Sequence, residues 1–214
     1  MTLSVLTDRS SCEWDQAEQF VYRVFREAGF CEVSPREWVE EVDTYRAAST
    51  LHVAHDQSGQ IIGCVRTILG RYDTLPIGQF RASSAVPGGT LCEIGSLAVD
   101  MSIRGLGVVN ELHRAALQWA LLNDAIGFCM LVEPWSIDFF RDVYGVPLVE
   151  SAPPREYMGS LTVPATVTFK ALWSSLIRAK PGMLEWATAG ITIEDRVRHD
   201  VPILLPTEDP SQHR

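Results

Sequence analysis

The first part of the chain has a helix-type pattern, in which apolar side chains recur at intervals of three and four residues. The positions are Trp14, Ala17, Val21, Val24 and Ala28. Side chains with this spacing line one face of an α-helix, and Gly29 is a residue type that commonly ends helices. The pattern therefore predicts an amphipathic helix over residues 13–28.

The next segment changes from a helical to a strand pattern. Ser34-Pro35 favours a helix start and predicts a second short helix. Residues 51–55 and 61–69 are apolar runs separated by a turn sequence at 56–59, which predicts a β-hairpin. Residues 70–90 are rich in Gly, Pro and Ser, so we expect a connecting segment with room for a short helix.

A strand, a glycine-containing loop and a helix follow one another in the middle of the chain. Residues 91–99 (LCEIGSLAV) form a strand-like run, and Gly105 and Gly107 lie in the loop after it. Beyond the loop, the apolar positions again step by three and four residues: Val108, Leu112, Ala115, Trp119 and Leu122. This stripe predicts a helix that begins at the glycines.

The rest of the chain predicts two more strands and several short helices. In order, the patterns indicate a strand at 128–132, a helix at 137–144, a strand at 163–171 and weak helices at 171–179 and 183–188. Gly145 is expected to end the first of these helices. A Pro-containing tail follows, and we expect its final residues to fray.

Composition narrows the class of protein. The chain has 214 residues, of which 46% are hydrophobic, enough for one domain with a full core. Its formal charge of −9 and the absence of a Lys/Arg cluster weigh against nucleic acid and anionic lipid as partners, because such binding depends on clustered positive charge. No apolar run is long enough to span a bilayer, and the first residues lack a signal-peptide pattern. These features predict a cytoplasmic protein without a membrane span.

The cysteines and histidines do not form a recognisable metal or disulfide pattern. The five cysteines are Cys12, Cys31, Cys64, Cys92 and Cys129. They are widely spaced, without a C-x-x-C pair, which indicates reduced thiols. His52 and His55 point to opposite faces of their predicted strand. We therefore predict no metal site.

The loop Arg104-Gly105-Leu106-Gly107 is a candidate anion site. Backbone N–H groups and the positive end of the following helix converge there beside an arginine, and glycine lets an oxyanion approach the backbone. A Walker loop would need Gly-Lys-Ser/Thr where the chain has Val108-Val109, and a dinucleotide fingerprint would need a glycine where the chain has Asn110. The alternative to an anion site is a tight turn, in which the glycines serve only to let the chain pass from the strand into the helix.

The segment EIGSLAVDMSIRGLGVVNELHRAAL resembles the fourth strand, turn and third helix of the GNAT acyltransferase superfamily. The signature of this superfamily is Gln/Arg-x-x-Gly-x-Gly/Ala, and it falls on residues 104–109 of this chain. The last position of the signature is Val109 instead of glycine or alanine. The resemblance to the superfamily extends over residues 13–170.

Further residues resemble the branch of that superfamily that contains acyl-homoserine-lactone synthases and N-acyl amino acid synthases. The branch pattern Glu-Leu/Ile-x-Arg-x-Ala-Val corresponds to residues 93–99, with Ser96 at the arginine position. The resemblance also supplies candidate residues for the acceptor or the acyl pocket, which are Arg23, Phe25, Trp38, Asp43 and Arg66.

The resemblance implies an α/β (α+β) fold, in which a mixed, twisted sheet is splayed between its fourth and fifth strands and flanked by helices. It implies a GNAT-like domain over residues 1–170, with 171–214 as a helical, Pro-containing extension packed on it. The pantetheine arm of a donor would lie in the splay. The residues expected to bind this donor are Leu97, Val99, Arg104, Gly105, Leu106, Gly107 and Val108.

Glu93 is the expected catalytic residue. An amine attacks a thioester only in its neutral form, whereas an α-ammonium has a pKa of about 8, so a carboxylate or a water bound to it is needed to accept the proton. Glu93 lies in an otherwise apolar strand, where an unpaired charge is costly. The alternatives are a solvent-facing strand residue or a structural ion pair with Arg66. The tyrosine that serves as the acid in many GNAT enzymes corresponds to Arg141, so we assign no general acid.

These features predict an N-acyltransferase that moves an acyl group from a phosphopantetheine thioester to the amine of a small molecule such as an amino acid. The donor is an acyl-CoA or an acyl carrier protein, attack is direct, and no cofactor is bound permanently. One alternative is an acetyl-CoA-dependent amine or lysine acetyltransferase. Another is a non-catalytic protein that binds acyl thioesters.

Overall fold

The computed structural model of the chain describes residues 1–103, 105 and 107–204. Its strands are β1 (Thr2–Leu6), β2 (Ser49–His55), β3 (Ile61–Gly70), β4 (Leu91–Val99), β5 (Gly127–Val132), β6 (Val149–Glu150), β7 (Arg155–Tyr157) and β8 (Ser160–Thr168). Its helices are α1 (Cys12–Ala28), α2 (Glu40–Asp43), α3 (Val108–Leu122), α4 (Pro134–Phe139), α5 (Phe169–Ala179), α6 (Pro181–Thr188) and α7 (Ile193–Arg198). Short 3-10 turns include Tyr72–Thr74 and Pro76–Gln79, and a π-helical turn, Phe140–Tyr144, continues α4.

The strands form a mixed sheet in the order β1-β2-β3-β4-β5-β8-β6, and β7 pairs with β8. Among the described pairings, only β4 with β5 is parallel. Helices cover both faces: Val53 packs in the cluster around α1, whereas its neighbour Ala54 packs against α3. Adjacent strand residues point to opposite faces, so α1 and α3 lie on opposite sides of the sheet. The predicted α/β (α+β) fold is confirmed.

β4 and β5 separate soon after they meet. They pair at two positions, Cys92 with Phe128 and Glu93 with Cys129. Beyond these positions β4 remains paired with β3, while β5 remains paired with β8. The splay predicted between the fourth and fifth strands is therefore confirmed, and it opens directly after Glu93.

A β-bulge lies in β4 just beyond the point of separation. Ser96 has a φ of 47°, and the register between β3 and β4 shifts between Cys64 and Arg66. A bulge places an extra residue in one strand, bends it and increases its local twist. The bulge at Ser96 is thus a local cause of the change in direction that carries β4 away from β5.

The first helix closely matches its prediction. The Ser11 side-chain oxygen accepts a hydrogen bond from the Trp14 backbone N–H at 3.2 Å, and Gly29 ends the helix with a φ of 79°. α1 spans Cys12–Ala28, so it begins one position before the predicted range. Its apolar face, which includes the fully buried Trp14 and Val21, packs on the sheet.

Other elements differ from prediction at their ends. The strand predicted over 163–171 stops at Thr168, because the side-chain oxygen of Thr168 caps α5 by accepting the Ala171 N–H at 3.2 Å. α4 begins earlier than predicted, at Pro134, whose fixed φ suits a first helical turn. The π-helical turn that follows ends at Gly145, as predicted. The short elements β1, β6, β7 and α7 were not predicted, since each has too few residues to show a clear period.

The helices after β8 complete the core on the α3 side. Trp173 of α5 and Leu184 of α6 belong to one buried cluster with Leu117 of α3 and Phe128 of β5. None of the helices in the described residues combines the length and apolar character required to cross a membrane. The predicted frayed tail, 205–214, lies outside the described residues.

A buried ion pair joins α1 to β3. The Arg66 Nη2 donates to both carboxylate oxygens of Glu18, at 3.0 and 2.8 Å, and the Trp14 indole N–H donates to the same carboxylate at 3.1 Å. Glu18→Ala leaves the Arg66 charge buried without its counter-ion, so we expect the free energy of unfolding to fall by about 3–5 kcal/mol. Denaturant unfolding measures this loss.

Glu13→Ala is the matched control, since Glu13 lies on the same helix but its side chain, beside His55, is 44% exposed. Its expected effect is at most about 1 kcal/mol. Equal losses in the two variants would contradict a special role for the buried pair.

Candidate active site

The separation of β4 and β5 opens a cavity of about 360 Å³. β4 contributes residues 94–97 to its wall, and β5 contributes 130–132. α1, α3 and the π-helical turn add Phe25, His113 and Phe140. A concave site with mostly apolar walls and a few polar groups is typical of small-molecule binding.

Glu93 lies at the apex of this cavity, where the two strands separate. Its side chain is 4% exposed, and its Oε2 accepts a hydrogen bond from the Ile77 backbone N–H at 2.9 Å. Burial raises the pKa of the Glu93 carboxyl from 4.5 to about 8, although the Ile77 N–H opposes part of this rise. The carboxyl therefore exchanges its proton in the range in which an α-amine does, about pH 8.

Arg66 also lines the cavity but does not pair with Glu93. Its guanidinium is held by Glu18 and donates from Nη1 to the Ser49 hydroxyl at 2.9 Å. Among the described residues, its buried Nε has no hydrogen-bond partner. Both alternatives for Glu93, solvent exposure and a pair with Arg66, are therefore wrong.

The predicted residues of β4 and α3 divide between the cavity and the core. Leu97 lines the cavity, as does Phe25 of α1. Val99 and Val108 are buried in the core cluster between the sheet and α3. Any contact of these two valines with a donor would therefore involve their backbone.

Three predicted residues lie outside the cavity. The Trp38 ring contacts the guanidinium groups of Arg36 and Arg46, whose carbons are 5.0 and 4.2 Å from the ring centroid. The Asp43 carboxylate accepts a hydrogen bond from Arg36 at 3.0 Å. Arg23 is half-exposed and forms a surface ion pair at 4.0 Å. The structure thus brings Phe25, Arg66, Glu93 and Leu97 together and leaves these three apart.

The glycine loop leads directly into α3. Gly105 and Gly107 have φ values of 95° and 81°. Residues other than glycine are strained at such positive φ values. Gly107 is the N-cap of α3, and no side chain caps the helix start. The first backbone N–H groups of α3 are therefore suitably placed for an anion. Arg104 and Leu106, predicted as donor-binding residues, lie outside the described residues.

Sequence reasoning missed several groups that shape the site. Ile77 acts through its backbone N–H, which no side-chain pattern could reveal. Phe140 belongs to a π-helical turn, which departs from the 3.6-residue period used to find helix faces. His113 lies beside the apolar stripe of α3 and Tyr157 in the short β7, so only the folded chain brings them to the cavity. The signal for His113 was its position next to Leu112.

One family model and several solved structures are similar to this chain. The family model described as N-acyl amino acid synthase FeeM matches residues 16–168. TofI, solved in a ternary complex with an inhibitor and MTA, is 18% identical with a TM-score of 0.62, and the alignment covers 86% of this chain and 100% of TofI. FeeM, an N-acyl amino acid synthase from uncultured soil microbes, is 17% identical with a TM-score of 0.62. The alignment covers 84% of this chain and 96% of FeeM.

A third similar structure is BjaI, a CoA-dependent acyl-homoserine lactone synthase solved with SAM and isopentyl-CoA. It is 16% identical with a TM-score of 0.62, and the alignment covers 82% of this chain and 88% of BjaI. At these identities the structures show a shared fold. No curated protein sequence matches the chain significantly.

The raised pKa of Glu93 makes a prediction about stability. Folding raises the pKa of this carboxyl from 4.5 to about 8, so between these values the folded chain retains a proton that the unfolded chain has released. Stability must then fall as the pH rises through this window. Glu93→Gln cannot titrate, so we expect the stability of the wild type relative to this variant to decline from pH 4.5 to about 8. Chemical unfolding of both proteins across this range measures the difference, and a constant difference would contradict the prediction.

Proposed function

The chain belongs to the N-acyl amino acid synthase FeeM family, and on this basis we propose that it transfers an acyl group from a phosphopantetheine thioester to the amine of a small molecule such as an amino acid. Family membership identifies the chain as an acyltransferase, so the non-catalytic alternative is not supported. The observation that carries the proposal is the buried Glu93 carboxyl at the apex of the splayed cavity.

The donor would enter along the separated edge of β4. Beyond Glu93 this edge has no pairing with β5, so the amides of a pantetheine arm could pair with the backbone at Leu97 as an added strand does. The phosphate of the arm would lie at Gly105 and Gly107, against the uncapped start of α3. Coenzyme A and an acyl carrier protein present the same arm, so both suit this geometry.

The acceptor would lie on the Arg66 side of the cavity. The unpartnered Nε of Arg66 can donate a hydrogen bond to a carboxylate, which suits an amino acid acceptor. Thr162 and Tyr157, which both carry hydroxyl groups, also line the cavity. Glu18 neutralises Arg66, so Arg66 contributes a fixed donor rather than a free positive charge.

The reaction follows from the position of Glu93. The amine nitrogen attacks the thioester carbonyl carbon, a C–N bond forms, and the C–S bond breaks. The proton lost by the amine passes to the Glu93 carboxylate, directly or through a water molecule. The leaving thiolate belongs to a thiol of pKa about 8.5, so it departs without a dedicated acid and is protonated afterwards. The SAM and isopentyl-CoA named together for BjaI support a ternary complex and direct attack.

Gly107→Ala tests the donor site. Alanine is strained at a φ of 81°, and adjusting this corner moves the N–H groups that would hold the phosphate. We expect a loss of donor affinity of about 10-fold or more, corresponding to a charge-assisted hydrogen bond of roughly 1.5–3 kcal/mol. Calorimetry with an acyl-CoA measures it.

Gly29→Ala is the matched control for this variant. Gly29 has a φ of 79° and open space around its Cα, as Gly107 does, but it ends α1. Both variants should lose similar stability, while only Gly107→Ala should bind the donor more weakly. Equal donor affinity in the two variants would show that the loop does not bind the donor and serves only as the turn between β4 and α3.

Glu93→Gln tests the base. The substitution keeps the size of the side chain but removes the proton acceptor, so acyl transfer at neutral pH should fall by roughly 100- to 10,000-fold. Wild-type activity should rise as the carboxyl loses its proton towards pH 8, and higher pH should partly rescue the variant, because more amine is already neutral. Thiol release measured against pH in both proteins distinguishes chemical from structural loss.

Glu133→Gln provides the comparison, since Glu133 also lines the cavity but its carboxylate accepts a hydrogen bond from the Trp135 indole N–H at 2.9 Å. It should retain most of the activity. If Glu93→Gln retained near-normal turnover, Glu93 would not be the base.

A further inference from the structure

His113 of α3 is a polar residue of the cavity wall that the proposed reaction has not yet used. It lines the cavity together with Ile94 of β4 and Met130 of β5. Among the described residues, its imidazole contacts two aromatic rings, and neither ring nitrogen has a hydrogen-bond partner. A polar group without a partner in an apolar wall is costly unless a ligand or a water satisfies it. The unpaired imidazole therefore indicates a contact with the substrate.

The neighbouring aromatic rings fix the position of this imidazole. The centroids of the Phe140 and Tyr144 rings lie 6.0 and 6.5 Å from that of His113, and both rings meet it edge to face. The Tyr144 hydroxyl donates a hydrogen bond to the Asn110 Oδ1 at 2.8 Å, which ties the π-helical turn to α3. A donor that is held in place before the reaction needs no reorganisation when charge develops on the substrate.

The His113 imidazole is uncharged at neutral pH, because burial lowers its pKa from 6.5 to about 4. A neutral imidazole carries one N–H donor, and its other nitrogen is an acceptor. Neither nitrogen is committed to a partner among the described residues, so the tautomer that directs its N–H at the substrate costs no hydrogen bond within them. His113 is thus a neutral hydrogen-bond donor, a state in which an imidazole can polarise a carbonyl group.

Glu93 and His113 reach the cavity from opposite faces of the sheet. Glu93 accepts its hydrogen bond from Ile77, which belongs to a core cluster separate from those of Ile94. Ile94 follows Glu93 in β4 and packs in the clusters that contain α3 residues. Successive strand residues point to opposite faces, so Glu93 lies on one side of the splay and α3, with His113, lies on the other.

We propose that the His113 imidazole N–H donates a hydrogen bond to the carbonyl oxygen of the thioester and stabilises the negative charge that develops there when the amine attacks. This inference rests on the proposed acyl transfer. A nucleophile approaches the carbonyl carbon across the carbonyl plane, whereas the oxygen lies in that plane, so the base and the donor to the oxygen must occupy different positions around the carbon. Glu93 and His113 meet this requirement.

His113 keeps its proton throughout the step. As the C–N bond forms, an electron pair of the carbonyl double bond moves to the oxygen, and the His113 N–H holds that oxygen by a hydrogen bond. When the pair returns to restore the carbonyl group, the C–S bond breaks and its electrons leave with the thiolate. The proton of the amine goes to Glu93, so the two residues have separate roles.

His113→Leu removes the donor and should lower kcat by about 100- to 1,000-fold, the effect of losing one donor to a developing oxyanion. The KM for acyl-CoA should change little, because the thioester oxygen is a weaker acceptor before attack than in the transition state. His113→Gln retains a side-chain N–H donor, so it should recover part of the lost kcat. Thiol release under saturating amine measures these values.

His52→Leu is the matched control. The His52 ring also packs against α3, with its centroid 5.7 Å from that of Trp119, and burial likewise lowers its pKa to about 4. Its Nε2 is bonded to the Thr67 hydroxyl at 3.0 Å, and the residue does not line the cavity. It should retain the wild-type kcat. Equal losses of kcat in His52→Leu and His113→Leu would trace the effect to the packing of α3 and overturn the inference.

Infrared spectroscopy separates this inference from the proposed function. The probe is an acyl-CoA that is isotope-labelled at the thioester carbonyl and bound without an amine. Its carbonyl stretch should lie at lower frequency in the wild type than in His113→Leu, and His52→Leu should match the wild type. If His113→Leu did not fold, His113→Gln would be compared with the wild type, and its different donor should still shift the band.

The two readouts fail independently. If no amine released thiol in any protein while the carbonyl band depended on residue 113, the proposed function would fail and the hydrogen bond from His113 would stand. Normal turnover with the same carbonyl band in the wild type and in the folded variants of His113 would overturn the role of His113 alone.

Discussion

β4 and β5 pair in parallel at Cys92–Phe128 and Glu93–Cys129 and then separate, and the functional features of the chain depend on that separation. Buried backbone groups require hydrogen-bond partners, so a strand edge that faces a cavity is suited to a ligand that carries amides. The bulge at Ser96 supports the change in strand direction. The cavity, the exposed edge of β4 and the position of Glu93 therefore have one structural origin.

In this cavity, Arg66 and Glu93 are both buried, but they do not pair with each other. Arg66 is satisfied by Glu18 and Ser49, so it does not neutralise Glu93. A nearby cation would lower the pKa of Glu93, whereas apolar surroundings with one backbone N–H raise it to about 8. The ion pair between α1 and β3 thus accounts for Arg66, while Glu93 keeps its apolar surroundings.

The helices after β8 connect the core to the site. α5 and α6 pack in one cluster with α3 and β5, and the same helices line a cavity of about 80 Å³ that shares Ile94, His113, Met130 and Phe140 with the larger one. A substitution that changes side-chain volume in these helices therefore disturbs the core as well as this cavity.

The sequence by itself determined the elements that follow from local pattern. α1, the hairpin of β2 and β3, the strand–glycine loop–helix unit and the burial of Glu93 could all be predicted, because periodicity, turn residues and one carboxyl group in an apolar strand are local signals. Only the tertiary structure decided which distant residues meet. It paired Arg66 with Glu18, kept Trp38 and Asp43 with Arg36, and brought His113 and the Ile77 N–H to the cavity. Such contacts join residues far apart in the chain, and their selection depends on packing geometry and competition among partners, neither of which has a period that a sequence can display.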